Sequence, residues 1–289
     1  MVYDFLIAPF ADFAFMKRAL VGATALALGA GPIGVFLMLR RLSLTGDAMA
    51  HAILPGAGVG YLIAGLSLPA MTIGGLVAGI TVAVLAGLVA RHTALKEDAS
   101  LAAFYLLSLA LGVMLVSLRG SNVDLLHVLF GTVLALDNAT LVLLAGISSI
   151  TLVTLAAIYR PLVLECVDPG FLRSVSNVGT PVHLMFLTLV VMNLVGGFHA
   201  LGTLLAVGLM MLPAAGARLW TQDITRLLIL SVLAAMAAGY AGLLVSYHAG
   251  VPAGPAIILA AGAFYIGSLL FGTEGGILGR LMPARHLEA

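Results

Sequence analysis

Long apolar stretches separated by short polar ones run along the whole chain. A bilayer core about 30 Å thick requires roughly 20 apolar residues per helix, and several stretches reach or approach that length. They are residues 18–39, 47–66, 69–90, 98–118, 139–160, 181–196, 199–219, 224–246 and 252–271. The pattern predicts an all-α fold: a polytopic membrane helix bundle of eight or nine spans over residues 15–271, in a single domain that covers 1–289.

Two segments are expected to differ from full spans. Residues 181–196 form the shortest apolar stretch, which favours a half-helix. Residues 5–16 are rich in phenylalanine but begin beside Asp4 and include Asp12. This mixture is typical of a helix that lies in the membrane interface.

Composition agrees with a membrane location and excludes several other classes of protein. Hydrophobic residues make up 62% of the 289 positions and charged residues 9%, and the mean hydropathy is +1.18. Soluble domains contain about 45–50% apolar and about 25% charged residues. The 13 basic and 12 acidic side chains leave no cationic surplus for nucleic acid, and a single cysteine excludes an intrachain disulfide or cysteine-based zinc cluster. We expect an integral membrane protein surrounded by lipid.

The lysine and arginine positions predict an orientation, because cytoplasmic loops carry an excess of these residues. If all predicted segments alternate, Lys17, Arg18 and Arg119 lie on one side. The other side carries Arg40, Arg41, Arg91, Lys96, Arg160, Arg173, Arg218, Arg226, Arg280 and Arg285. The N-terminus is therefore predicted outside and the C-terminus in the cytoplasm.

Two polar interruptions separate the predicted spans. On the cytoplasmic side, residues 161–179 contain Asp168-Pro169, a pair suited to begin a short helix because proline is tolerated in a first turn. This stretch is either an ordinary loop or a docking helix for a cytoplasmic partner. On the outer side, residues 119–138 are expected to contain a helix on the membrane surface. There, Asp124 and His127 are either a solvated pair or a contact for an incoming cation.

Asp47 and His51 are the exceptional ionisable pair within the predicted spans. Four residues apart on a helix, they share one face. Ionisable groups inside a membrane normally face a cavity or the bundle interior, and a carboxylate with an imidazole suits zinc, manganese or iron. One pair supplies two ligands, so a two-fold dimer would supply four. Two alternatives remain open: Asp47 caps the helix while His51 is an interior histidine, or the pair relays protons.

Glycine and proline add two expectations for the same span. Pro55 and Gly56, followed by Gly58, are expected to break the helix and line a translocation pathway, since irregular backbone at membrane depth is tolerated beside a water-filled path. Glycines also recur at four-residue spacing, which predicts close helix packing or an oligomer interface. These glycines are Gly56 with Gly60 and Gly75 with Gly79.

Sequence motifs for ATP hydrolysis are missing from the chain. It contains no GxxxxGK[ST] phosphate loop, no HExxH pair and no GxSxG elbow. The chain is therefore not expected to hydrolyse ATP itself or to be a membrane protease or hydrolase. No permanently bound cofactor is expected.

Residues 34–56, GVFLMLRRLSLTGDAMAHAILPG, closely resemble a hallmark of the membrane permease subunits of bacterial ABC importers for zinc, manganese and iron. Residues 202–218 look like the late helix of the same family, which ends in Pro-Ala-Ala, and Asp168-Pro169 followed by Gly179 is a weaker third match. The resemblance extends from about Phe15 to about Leu270.

The resemblance implies a homodimeric permease in the bacterial inner membrane, bound to two cytoplasmic ATP-binding subunits and supplied by an extracytoplasmic metal-binding protein. It implies that Asp47 and His51 contact the transported ion and that alternating access moves it inward. It also implies that residues 161–179 are the segment that couples to the ATPase. The residues expected to carry this coupling are Asp168, Pro169, Phe171, Arg173 and Gly179.

Donor chemistry places zinc first among the substrates, with manganese next and iron third. Two other functions remain as alternatives. A stand-alone proton-coupled secondary transporter would use Asp47 and His51 as a proton relay and would need no ATPase. An intramembrane enzyme would use them as acid and base, although no nucleophile or cofactor motif accompanies them.

Overall fold

The computed structural model of the protein describes residues 2–65, 67–95, 97–118, 136–176 and 178–277, and every regular element in these ranges is a helix. The helices are α1 (Val2–Leu6), α2 (Ala8–Asp12), α3 (Ala14–Leu39), α4 (Thr45–Ala64), α5 (Leu68–His92), α6 (Glu97–Leu118), α7 (Asn138–Val167), α8 (Pro169–Val175), α9 (Gly179–Leu201), α10 (Thr203–Arg218), α11 (Ile224–Ala249) and α12 (Ala253–Phe271). The prediction of an all-α membrane protein is confirmed.

Each predicted span corresponds to one helix, from α3 to α7 and from α9 to α12. Six of these helices are long and apolar enough to cross a membrane: α3, α5, α7, α9, α11 and α12. The apolar parts of α6 and α10 are shorter, and the glycines of α4 together with Asp47 and His51 reduce its hydropathy. The total of eight or nine spans therefore stays a prediction.

Two sequence-based boundaries need correction. The segment predicted as a half-helix at 181–196 is a continuous helix, α9, with 23 residues. Residues 161–167, predicted to begin the polar interruption, are the last turns of α7, which continues through Pro161. The predicted interfacial segment at 5–16 is divided into α1, α2 and the start of α3.

The predicted break at Pro55-Gly56 is also wrong, because α4 is helical from Thr45 to Ala64 with Pro55 inside it. Pro55 has no N–H to donate to the carbonyl of His51. Neighbouring helices hold the chain in place there: Gly112 of α6 packs directly against Pro55, and the Ser108 hydroxyl donates to the Ala52 carbonyl over 3.0 Å.

Close glycine contacts fix α4 against α5, as the four-residue spacing predicts. A Cβ on Gly56 would lie 2.0 Å from the Gly74 carbonyl oxygen, and one on Gly60 would lie 2.4 Å from the Ala70 carbonyl oxygen. Gly75 and Gly79 make similar contacts with side chains of α4 and α9. At Gly56 and Gly60, where the contact is with backbone, a larger residue would require the two helices to move apart.

Aspartates cap the helices that begin after polar connections. The Asp137 side chain accepts a bond from the Thr140 backbone N–H at the start of α7, and Asp223 accepts from the Arg226 N–H at the start of α11. Hydrogen bonds from the Thr140 side chain and backbone lower the pKa of Asp137. These caps satisfy backbone donors that have no partner within the helix.

The core is formed by α3, α9 and α10, around which the other helices pack. Of the six span-length helices, α3 and α9 are the most buried. Gly34 of α3 lies so close to the Met210 carbonyl of α10 that an added Cβ would be 1.9 Å from its oxygen. This core also fixes the end of α3, from which a short turn leads directly into α4 and its ionisable pair.

Candidate metal site

Asp47 and His51 face each other on the first two turns of α4. The Oδ1 atom of Asp47 lies 3.8 Å from Nε2 of His51, which is too long for a direct hydrogen bond. Metal–ligand bonds of about 2.0–2.2 Å place two ligands of one ion about 3–4 Å apart. The pair therefore has a spacing that one divalent ion can bridge.

The two side chains differ in exposure within the single chain. The Asp47 side chain is 67% exposed, whereas the His51 side chain is 31% exposed. The His51 ring stacks on Tyr105 of α6 with 6.3 Å between ring centroids, and its Nδ1 is buried with no hydrogen-bond partner among the described residues. Nε2 is the ring nitrogen directed toward Asp47, so the ring is held in an orientation that presents this atom.

The alternative that Asp47 merely caps α4 receives no support from the hydrogen bonds. The N-cap residue is Leu44, whose side chain makes no capping hydrogen bond. Asp47 lies in that first turn. There its carboxylate interacts with the positive end of the helix dipole, but its oxygens stay available to a ligand.

One chain provides a two-ligand site. Among the residues that the structure describes, no group of three or more His, Cys, Asp or Glu side chains could hold a metal ion. The pathway role predicted for Pro55, Gly56 and Gly58 stays a prediction: Pro55 and Gly56 are packed against α6 and α5, and Gly58 lies on the following turn of α4.

The residues predicted to couple to an ATPase meet in and around α8. Asp168 is the N-cap of this helix and accepts from the Phe171 N–H over 2.9 Å, and Pro169 is its first residue. The Phe171 side chain is 53% exposed. Arg173 lies within α8, and Gly179 begins α9, where it is buried against Leu172. The segment thus forms a short exposed helix between two long ones.

The external pair Asp124 and His127 lies outside the described residues, so its predicted cation contact stays a prediction. Two features escaped the sequence reasoning. Tyr105 stacks on the ring of His51, which precedes it by 54 residues in the sequence, and nothing in the local sequence of α6 indicates this contact. A buried cluster brings together Arg40 with Glu165 and His183, which follow it by 125 and 143 residues in the sequence.

Comparison with known proteins identifies relatives over nearly the whole chain. The profile of the ABC 3 transport family matches residues 12–272. The chain is 30% identical over 278 residues to the manganese transport system membrane protein of Halalkalibacterium halodurans, covering 96% of this chain and 94% of the relative. It is 30% identical over 255 residues to a manganese import system permease protein of Streptococcus parasanguinis, covering 88% and 90%.

A solved structure agrees with the sequence comparison. A chain in the structure of PsaBC from Streptococcus pneumoniae in complex with Fab superposes with a TM-score of 0.82 and 28% sequence identity. The match covers 97% of this chain and 98% of that chain. The arrangement of helices described above is therefore shared with a solved protein over nearly its whole length.

Proposed function

The chain belongs to the ABC 3 transport family, and from this we propose that it is the permease subunit of an ATP-driven importer. Its substrate would be a divalent transition metal, carried across the bacterial plasma membrane. The observation that carries the proposal is the Asp47/His51 pair, with 3.8 Å between carboxylate and imidazole at the start of a membrane helix. In a chain with 9% charged residues, such a pair is costly unless it has a ligand to hold.

A second copy of the chain would complete the ligand set. Two ligands hold an ion weakly, whereas transition metals prefer four or more. The 67% exposure of Asp47 leaves its carboxylate accessible to a ligand shared with a partner chain. A two-fold axis beside the start of α4 would bring two Asp47/His51 pairs together.

We rank manganese first among the substrates. Carboxylate oxygen and imidazole nitrogen suit manganese, zinc and iron, and this donor set gives zinc only a small preference over the other two. Two relatives are named for manganese transport or import, and these names outweigh the small preference of the donor set for zinc. Zinc and iron follow as substrates to be compared directly.

The exposed helix α8 would receive the movement of the ATPase. Its Phe171 side chain projects from a segment that is anchored at both ends by the long helices α7 and α9. Two ATP-binding subunits would press on the two copies of α8 and open the pathway alternately to each side. An extracytoplasmic metal-binding protein would deliver the ion from the other face.

The proposal is tested by uptake of radioactive Mn²⁺ into cells that produce the chain with its ATP-binding subunit. Asp47→Asn removes the charge and one strong ligand with little change in size. It should decrease the initial rate at least about tenfold, since even indirect partners of a metal site contribute about 10–100-fold in affinity. Asp98→Asn, at an exposed position near the start of α6, is the matched control and should transport normally.

Two results would contradict the proposal. If Asp47→Asn takes up Mn²⁺ at the wild-type rate, the Asp47/His51 pair does not lie on the transport pathway. Uptake that persists when the ATP-binding subunit is inactive, but disappears when the proton gradient is dissipated, would favour the proton-coupled secondary transporter instead.

A further inference from the structure

Three ionisable side chains meet in the protein interior where α3, α7 and α9 come together. Arg40 follows the last residue of α3, Glu165 lies in the last turn of α7, and His183 lies in the first two turns of α9. Nη2 of Arg40 lies 3.2 Å from Oε1 of Glu165 and 2.5 Å from Nδ1 of His183. The side chains are only 10%, 11% and 4% exposed, respectively.

The hydrogen bonds determine how this cluster is arranged. A guanidinium only donates, so Nδ1 of His183 accepts from Arg40. The same Nδ1 lies 4.0 Å from Oε1 of Glu165, which is too far for a direct hydrogen bond. Arg40 is the centre of the cluster, and its guanidinium also lies over the Phe186 ring, 5.4 Å from the centroid.

The cluster is incompletely paired in the described structure. Nη1 of Arg40 and Oε2 of Glu165 are buried, and neither has a hydrogen-bond partner among the described residues. Buried ion pairs contribute little net stability even when they are well paired, and apolar side chains of similar size often serve as well. A guanidinium at the centre also makes the site unsuitable for a metal cation. The position of the cluster in the fold therefore indicates a role other than stability or metal binding.

The cluster joins the segment that faces the ATPase to the segment that carries the metal ligands. Glu165 precedes Asp168, the cap of α8, by three residues, and His183 follows the start of α9 by four. Both anchors of α8 therefore touch Arg40. In turn, Arg40 begins the short turn between α3 and α4, in which Arg41 has a φ of 60° and which leads to Asp47 seven residues after Arg40.

We propose that Arg40, Glu165 and His183 are positioning residues for transport, which transmit the displacement of α8 to the α3–α4 turn and so to Asp47 and His51. This inference rests on the proposed function. A shift of α7 and α9 that accompanies ATP binding would exchange the partners of Arg40, and the two unpaired atoms are the groups that such a shift can pair. The turn would then move Asp47 and His51 between an orientation open to the outer side and one open to the cytoplasm.

The test measures how many ATP molecules are hydrolysed per Mn²⁺ ion transported by the complex with its ATP-binding subunits and metal-binding protein in proteoliposomes. The variant Arg40→Met/Glu165→Leu/His183→Leu replaces the whole cluster with apolar side chains of similar size, which avoids leaving one charge buried alone. It should bind Mn²⁺ at equilibrium like the wild type. Its ATP-to-Mn²⁺ ratio should rise about fivefold or more, as expected for a lost coupling between two sites.

The ratio separates coupling from folding, since a purely structural defect lowers ATP hydrolysis and transport together and leaves the ratio unchanged. Arg41→Met, at the exposed neighbour on the same turn, is the matched control and should keep the wild-type ratio. If the triple variant yields no folded complex, Glu165→Gln is tested instead. This change keeps the shape of the side chain but removes its charge, and it should also raise the ATP-to-Mn²⁺ ratio.

An unchanged ratio in whichever variant folds would overturn the inference while leaving the proposed function intact. Failure of the wild-type complex to transport Mn²⁺, Zn²⁺ or Fe²⁺ would instead overturn the proposed function, and the inference with it.

Discussion

At the scale of single residues, the setting of Asp47 bears on how tightly the proposed metal site would hold an ion. The carboxylate lies in the first turn of α4, where unpaired backbone N–H groups create a positive potential. That potential stabilises the negative charge of Asp47 but opposes a cation beside it. A transport site needs such a balance, because an ion that binds too tightly is not released.

Tyr105 stacks on the ring of His51, the second proposed ligand, and supports its orientation. Tyr105→Phe retains the ring and should leave Mn²⁺ affinity unchanged. Tyr105→Ala removes the support and should weaken affinity about two- to tenfold, the range that corresponds to an aromatic pair. Competition with a fluorescent chelator measures the Mn²⁺ affinity of both variants. Equal weakening in the Phe and Ala variants would show that the hydroxyl, rather than the ring, is the important group.

At the scale of elements, a local sequence signal can predict where a helix starts, but contacts between helices are not visible in the sequence and can override such a signal. Asp168-Pro169 is a local signal, an acceptor followed by a residue suited to the first turn, and α8 begins where it predicts. Pro55-Gly56 is a local signal that predicts a break, but α4 continues because α5 and α6 pack tightly against it. Arg40, Glu165 and His183 carry no local signal at all, since only the fold brings them together.

The contact between α4 and α5 is tight enough to make a sharp prediction. In Gly56→Ala, the new Cβ would lie 2.0 Å from the Gly74 carbonyl oxygen, so the helices must separate and the packing around Pro55 is lost. We expect the thermal midpoint of the purified protein to fall by about 5 °C or more, as for other disruptive changes in a packed core.

Gly146 in α7 provides the matched control, because a Cβ there would meet nothing within 4 Å. Gly146→Ala should leave the midpoint unchanged or raise it slightly through improved helix propensity. A midpoint for Gly56→Ala as high as that of Gly146→Ala would mean that α4 and α5 are not packed as described.

At the scale of the whole molecule, hydropathy alone is sufficient to place all the long helices in order. It does not establish the number of spans, because α4, α6 and α10 are less apolar or shorter than the others. Those weaker spans include the elements that carry Asp47, His51 and Tyr105. The glycines of α4 are accommodated because α5 packs closely against them, and the His51 ring is accommodated by stacking on Tyr105 of α6.

One chain contributes only two side chains to the proposed metal site, which makes assembly the central question. The two proposed ligands and their spacing can be read from the sequence, and the structure brings no third candidate to them among the described residues. The predicted two-fold dimer and the predicted orientation of the termini both concern relations beyond the single chain. A measurement of the number of bound ions per chain tests the predicted two-fold dimer directly.

That measurement is the amount of Mn²⁺ bound to the purified protein, determined by inductively coupled plasma mass spectrometry alongside a gel-filtration measurement of mass. Two Asp47/His51 pairs that share one ion predict about one Mn²⁺ per two chains in the wild type, and none in Asp47→Ala/His51→Ala. Retention of one ion per two chains in the double variant would place the metal elsewhere. One ion per chain in the wild type would contradict a shared site.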